Sequence, residues 1–191
     1  MLQHPEHQLP PKARQRIYNA IGQKDDVRGS RTCGYLACIT ARYVLPVWVE
    51  AMAHDSTVEN TIHTAEAVWL HTTTTEAADK KLERDWNYFE QLASTPFGYT
   101  NAFLAGFSAV KALAETLNRT NFRDVILAAS STDRELDPWS SDTAKYAASA
   151  FSGPVWVPLP DYSRRKTFWE WWLGSAIPAA WRAANVEINS N

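Results

Sequence analysis

Three histidines and two glutamates between residues 54 and 71 are the first candidates for chemistry: His54, Glu59, His63, Glu66 and His71. His63 and Glu66 lie three positions apart, a spacing at which helical di-metal proteins pair histidine with glutamate. Those proteins need the motif twice, with further carboxylates, and no second Glu-x-x-His is present. His63 and His71 also lack the four-residue spacing of a helical zinc motif. We therefore predict no metal ion and no cofactor.

Nucleophilic catalysis has no marker in this chain. Cys33 and Cys38 have no histidine near them in the sequence, and the chain contains neither a Gly-x-Ser-x-Gly elbow nor a glycine-rich phosphate loop. Two cysteines five positions apart in an apolar stretch are typical of buried, reduced thiols. The sequence predicts no catalytic residue and a protein that is not an enzyme.

Arg42 is the only charged residue between Thr32 and Val49. As a functional residue it would bind an anion. As a structural residue it would be buried and paired with a carboxylate and with carbonyls at a helix end. An unpaired buried charge is too costly to persist, so we favour the structural interpretation.

Acidic residues concentrate in the middle of the chain. Residues 46–95 hold nine Asp and Glu against three Lys and Arg, whereas the whole chain has a formal charge of −2 and a pI of about 6.2. This balance argues against a nucleic-acid partner. The local excess is consistent with a basic protein partner or, alternatively, with solvated helix faces. Its most regular part is a helical stripe of Glu76, Asp79, Glu83 and Glu90.

The segment from Asp133 to Trp139 is the second candidate for binding. It contains Asp133, Glu135, Asp137 and Trp139, and its composition predicts a polar loop. Tryptophan beside charged residues is typical of interface hot spots. Trp139 would alternatively hold the loop against the helices, and the sequence leaves both interpretations open.

The elements that position these residues are predicted to be helices throughout. Hydrophobic residues make up 45% of the chain and glycine only 7 of 191 residues, which favours a helical globular fold. Apolar spacing, proline and capping residues predict helices over residues 11–22, 31–53, 56–71, 75–93, 101–110, 122–130, 140–151 and 161–174, with a last turn from Pro178. Pro46 should kink or split the second helix. Residues 153–160, with three prolines, should be extended.

We accordingly predict an all-α fold: one multi-helix bundle with short loops over residues 1–191, in which residues 1–10 are a flexible tail. The uncharged run 101–110 should lie at the centre of the bundle. The apolar run Cys33–Val49 has about 17 residues, short of the ~20 that span a bilayer, so we expect a buried helix. The first residues do not form a signal peptide. We expect a soluble, cytoplasmic protein without membrane contact.

Four of the nine tryptophans lie between Phe168 and Trp181. Tryptophan buries a large area while losing few rotamers, so such a cluster must close a core or make a contact. We assign structural roles to Trp169, Trp172 and Trp181, and to Arg42.

These segments also resemble a known family. The pattern Arg165-Lys166-x-Phe168-Trp169-x-Trp171-Trp172, followed by Ala176 to Trp181, resembles all-helical immunity proteins encoded beside the toxins of bacterial polymorphic toxin systems. The segment Ala41 to Trp48 and the step Gly98-x-x-x-Ala102 are similar to further motifs of that family. The resemblance spans roughly residues 30–182 and consists of structural motifs.

The resemblance implies an immunity protein that binds and neutralises the C-terminal domain of a cognate toxin. It identifies neither the toxin nor the oligomeric state. We predict that the contact surface combines the acidic stripe with the polar loop, through Glu76, Asp79, Glu83, Glu90, Asp133, Glu135, Asp137 and Trp139. An alternative is a small helical enzyme, metal-dependent or modification-reversing, that counteracts the toxin's product. A helical scaffold without a toxin is a third interpretation.

Overall fold

The computed structural model describes residues 8–22, 26–120, 122–153 and 161–188. Within these ranges the chain forms helices and no strand, which confirms the predicted all-α bundle. A 3₁₀ turn covers Pro96–Tyr99, and a π turn at Trp172–Ala176 joins the last two helices. The α-helices are α1 Pro11–Ile21, α2 Val27–Ala51, α3 Thr57–Trp69, α4 Thr75–Ala93, α5 Asn101–Thr116, α6 Thr143–Ser152, α7 Tyr162–Trp171 and α8 Ile177–Ile188.

Helix α5 lies at the centre of the bundle, as its uncharged run 101–110 predicts. Fourteen of its sixteen residues are buried, and it packs against α2, α3, α4 and α6. Small residues let these neighbours approach closely, because a Cβ added at Gly106 would meet the ring of Phe89 at 2.3 Å. A helix that is apolar on every side can only be stable in such a position.

Helix α2 is the second core helix and begins earlier than predicted. Asp26 caps it by accepting hydrogen bonds from the backbone N–H groups of Arg28 and Gly29 at 3.1 Å, so the helix starts at Val27 rather than near Arg31. Pro46 lies on the exposed side and does not split it. By length and composition α2 is also apolar enough to cross a membrane, but its contacts with α3, α5, α6 and α8 account for that composition.

The start of α3 differs in detail from the predicted capping box. Ser56 occupies the cap position without a side-chain hydrogen bond, and Asp55 instead accepts from the N–H of Thr57 at 2.7 Å. In α4 the cap is Thr74, one residue before the predicted Thr75, and it accepts from Ala77 at 3.2 Å. Both helices therefore lie close to their predicted positions.

The helix predicted over residues 122–130 is wrong. The described part of this segment forms turns and irregular backbone. The side-chain amide of Gln15, on α1, donates to the carbonyls of Phe122, Arg123 and Val125 at 3.0, 3.2 and 2.8 Å. A helix would use those carbonyls for its own hydrogen bonds, so the contact with α1 holds the segment in another conformation.

The predicted helix end at Gly174 is also wrong. The chain continues through the π turn into α8, and Gly174 is exposed within that turn. A π turn inserts one extra residue into a helix, and here Trp172 and Ala176, at its two ends, are both buried.

The predicted N-terminal tail of residues 1–10 is too long at its inner end. Leu9 is fully buried, and its carbonyl accepts a hydrogen bond from Arg14 at 2.6 Å. Residues 1–7 lie outside the described part of the chain, as do residues 154–160, most of the segment predicted to be extended.

Candidate functional site

Two tryptophans from different parts of the chain stack at the surface. Trp86 of α4 and Trp139 of the α5–α6 connection have ring centroids 3.7 Å apart and planes 12° from parallel. Trp86 is buried and donates its indole N–H to Glu90 at 2.7 Å, whereas Trp139 is 43% exposed. Trp139 therefore both packs onto a helix and offers a large aromatic surface to solvent, which combines the two interpretations that the sequence left open.

A shallow groove of about 400 Å³ adjoins this pair. The Asp79 carboxylate accepts two hydrogen bonds from the Arg119 guanidinium at 3.0 and 2.8 Å, and these bonds lower the pKa of Asp79. The aromatic Trp86 and Trp139, the aliphatic Leu82 and the exposed Glu83 line the same groove. The groove is lined by Asp79, Leu82, Glu83, Trp86, Asn87, Arg119 and Trp139.

The structure brings together much of the predicted contact surface. Asp79, Glu83 and Trp139 line the same groove, and Glu90 is hydrogen-bonded to Trp86 of the stacked pair. Glu76, in the first turn of α4, is exposed and pairs with Lys80 at 2.7 Å. A groove with apolar lining and acidic residues at its edge resembles the centre and rim of a protein–protein interface.

Three acidic residues of the predicted loop have mainly structural surroundings. The Asp133 side chain is 8% exposed and pairs with Arg14 of α1 at 2.6 Å. This ion pair gives Asp133 a structural role, and its contact with a partner stays a prediction. Glu135 and Asp137 are exposed, but they accept from the backbone N–H groups of Thr132 and Ser140 at 2.7 and 3.0 Å. The bonds from Ser140 lower the pKa of Asp137.

Buried cations hold this loop from beneath. The Lys111 ammonium donates to the carbonyls of Pro138 and Trp139 at 3.0 and 3.3 Å. The Lys145 ammonium donates to the carbonyl of Leu136 at 3.3 Å and to the Ser141 hydroxyl at 2.8 Å.

Arg14 supplies a third buried cation. Its guanidinium binds Asp133 and also Asp142, whose carboxylate lies 2.8 Å away and is fully buried. Sequence reasoning missed Arg14, Lys111, Lys145 and Asp142. The available signal was Lys111, a lone charge within the apolar run of α5.

The residues assigned structural roles divide into three cases. Trp169 and Trp172 are fully buried, as predicted, and Trp172 donates to Thr40 at 3.1 Å. Arg42 forms the predicted carboxylate pair, with Glu66 at 2.5 and 2.6 Å, but its side chain is 38% exposed rather than buried.

Trp181 is the third case, and its structural role stays a prediction. It is 39% exposed and is covered by the Arg28 guanidinium, 4.2 Å from the ring centroid.

Of the first candidates for chemistry, His63, Glu59 and Glu66 lie in ion pairs, whereas His54 and His71 are exposed. His63 lies 3.7 Å from Glu59 and 3.6 Å from Glu66, which is itself bound by Arg42. Within the described ranges, no group of three or more His, Cys, Asp or Glu side chains is placed to hold a metal ion. Burial raises the pKa of the Cys33 and Cys38 thiols to about 12, so both are protonated at neutral pH and poor nucleophiles.

No curated protein matches the chain. The family described as immunity protein Imm5 matches residues 1–179, which include every helix of the candidate site. The chain belongs to the Imm5 family of immunity proteins.

Proposed function

We propose that this immunity protein neutralises a cognate bacterial toxin by binding the toxin's C-terminal domain in the cytoplasm, and that it protects the producing cell from a polymorphic toxin system. The binding surface is the groove beside Trp139 together with the acidic stripe of α4. Neutralisation needs a stable complex and no chemistry on the part of the immunity protein.

The observation that carries this proposal is the half-exposed Trp139 stacked on Trp86 beside a mostly apolar groove. A fixed aromatic side chain contributes contact area at low entropic cost, and such residues dominate binding energy at protein interfaces. Glu76 and Glu83 at the edge of the surface would attract a basic toxin surface, such as the substrate cleft of a nuclease, and accelerate encounter.

The test is neutralisation at controlled stoichiometry. A candidate toxin domain, taken from the C-terminal end of the neighbouring large reading frame, is produced in a host with increasing amounts of the immunity protein, while growth and complex formation are followed. We expect growth to be restored only when the immunity protein reaches at least one molecule per toxin, with a complex that co-purifies. Rescue at trace amounts without a complex would contradict the proposal and indicate an enzyme that reverses the damage.

A further inference from the structure

Three cations lie beneath the loop that carries Trp139. Arg14 and Lys111 are fully buried and Lys145 is 7% exposed. Burial of a charged side chain is costly unless polar partners replace its lost hydration. In this protein the partners of all three cations include groups of the segment 133–142. The cations therefore connect the core helices to this one loop.

Lys111 is the cation placed closest to the exposed tryptophan. Both hydrogen bonds of its ammonium go to consecutive carbonyls, those of Pro138 and of Trp139 itself. The ammonium also lies 5.9 Å from the centroid of the Trp139 ring, within the range of a cation–π contact. One side chain of α5 thus fixes both the backbone and the ring of the residue that faces solvent.

Burial of the Lys111 ammonium is energetically costly, and the charged groups around it only partly offset that cost. Burial lowers its pKa to about 8, while Glu115, on the same helix, and Asp142 and Asp137, in the loop, oppose that shift. Lys145 of α6 adds to it. A leucine or methionine would occupy the centre of α5 at no such cost, so a buried lysine here is explained by what it holds.

We propose that Lys111 is the positioning residue of the toxin-binding surface: its buried ammonium fixes the Trp139 backbone and thereby holds the Trp139 ring against Trp86 in the binding conformation. This proposal rests on the function proposed above. A loop held in its bound conformation before the partner arrives loses less entropy on binding, which increases affinity. Charge-assisted hydrogen bonds are about twice as strong as neutral ones, so the anchor should weaken when Lys111 loses its proton.

The first experiment compares Lys111→Met with Lys166→Met, which makes the same change at an exposed lysine of α7. The first readout is the circular-dichroism signal of the stacked indoles, which is the part of the spectrum that is lost in Trp86→Phe. The second readout is the affinity for the toxin domain. We expect Lys111→Met to lose the indole signal, keep its helical signal and bind the toxin about ten- to a hundredfold more weakly. Lys166→Met should match the wild type in both readouts.

A pH titration of the wild-type protein gives a second test that does not depend on the folding of a variant. Between pH 7 and 9 the indole signal and the toxin affinity should decrease together, with a midpoint near the Lys111 pKa of about 8. In Glu115→Gln the decrease should remain but its midpoint should move to lower pH, because the Glu115 carboxylate raises the Lys111 pKa.

An unchanged indole signal in folded Lys111→Met, or a wild-type signal that is constant across this pH range, would overturn the positioning role. The indole signal decides this question even if the toxin domain does not bind the wild type. Absence of binding by the wild type would overturn the proposed function instead.

Discussion

Arg14, Asp133 and Asp142 form an ion-pair cluster inside a protein of 191 residues. The guanidinium donates to both carboxylates and to the Leu9 carbonyl, so its donors face oxygen atoms on several sides. Removal of one partner from such a cluster leaves an uncompensated buried charge, which typically costs about 3–5 kcal/mol. The cluster fixes the start of α1 against the loop that leads into α6.

Glu115 gives the clearest prediction at the residue scale. Burial, reinforced by the charge of Asp142, raises its pKa from 4.5 to about 7. Between these two pH values the folded state binds more protons than the unfolded state, so Glu115 makes the free energy of unfolding fall as pH rises. In Glu115→Gln this contribution disappears, and the wild type should become progressively less stable relative to the variant from pH 4.5 to 7.

Urea denaturation at several pH values in that range measures the difference. Glu83→Gln, the same change at an exposed residue of α4, is the control and should follow the wild type. A constant difference in unfolding free energy between wild type and Glu115→Gln would mean that Glu115 does not titrate in this window.

At the element scale, the close packing around α5 depends on glycine. A Cβ at Gly106 would lie 2.3 Å from the Phe89 ring and 3.1 Å from that of Trp48, whereas a Cβ at Gly174 in the π turn would meet nothing within 4 Å. We expect Gly106→Ala to lower the free energy of unfolding by about 1–3 kcal/mol, because the rings must move.

Gly174→Ala is the matched control. It should leave stability unchanged or raise it by up to about 1 kcal/mol, because alanine loses less backbone entropy in a helix. Equilibrium unfolding in urea measures both variants. Equal effects at the two positions would show that α5 is less tightly packed than its contacts indicate.

Local patterns explain which helices could be predicted. The apolar stripe of α4 and the uncharged run of α5 predict both elements, because burial and periodicity agree there. The segment 122–130 could not be predicted, because Gln15, more than 100 positions away, takes its carbonyls. Gly174 led to the wrong helix end. Glycine often ends a helix, but in this protein Gly174 lies within a π turn.

At the scale of the whole molecule, the acidic stripe of α4 should control the rate at which the toxin associates. Reversal of Glu76 and Glu83 together to lysine changes the charge next to the groove. Reversal of Glu50 and Glu170, two exposed residues of α2 and α7, changes the net charge equally at other places. We expect only the first pair to slow association, by about tenfold or more at low salt, and to weaken its salt dependence.

Stopped-flow association rates at several salt concentrations test this prediction. The dissociation rate should change far less than the association rate, since exposed charges mainly affect encounter. If both double variants slow association to the same extent, net charge and not the acidic stripe steers the toxin.

The candidate site could be predicted in part. The acidic stripe and Trp139 were recognisable, because helical spacing and an exposed loop composition are local signals. Their meeting in one groove, and the ion pair of Asp133 with Arg14 of α1, were not, because both follow from packing between distant segments. Arg14 and Lys145 were missed for the same reason, because their partners in the loop become apparent only in the folded chain.

The central claim is that the toxin is bound by the surface around Trp139, and one comparison tests it most directly. Trp139 and Trp181 are 43% and 39% exposed, so replacing each by alanine removes a similar exposed aromatic surface from a different face. The dissociation constant of each variant for the toxin domain is measured by calorimetry. The account predicts at least about thirtyfold weaker binding for Trp139→Ala and little change for Trp181→Ala. Unchanged binding by Trp139→Ala, or an equal loss in both, would contradict it.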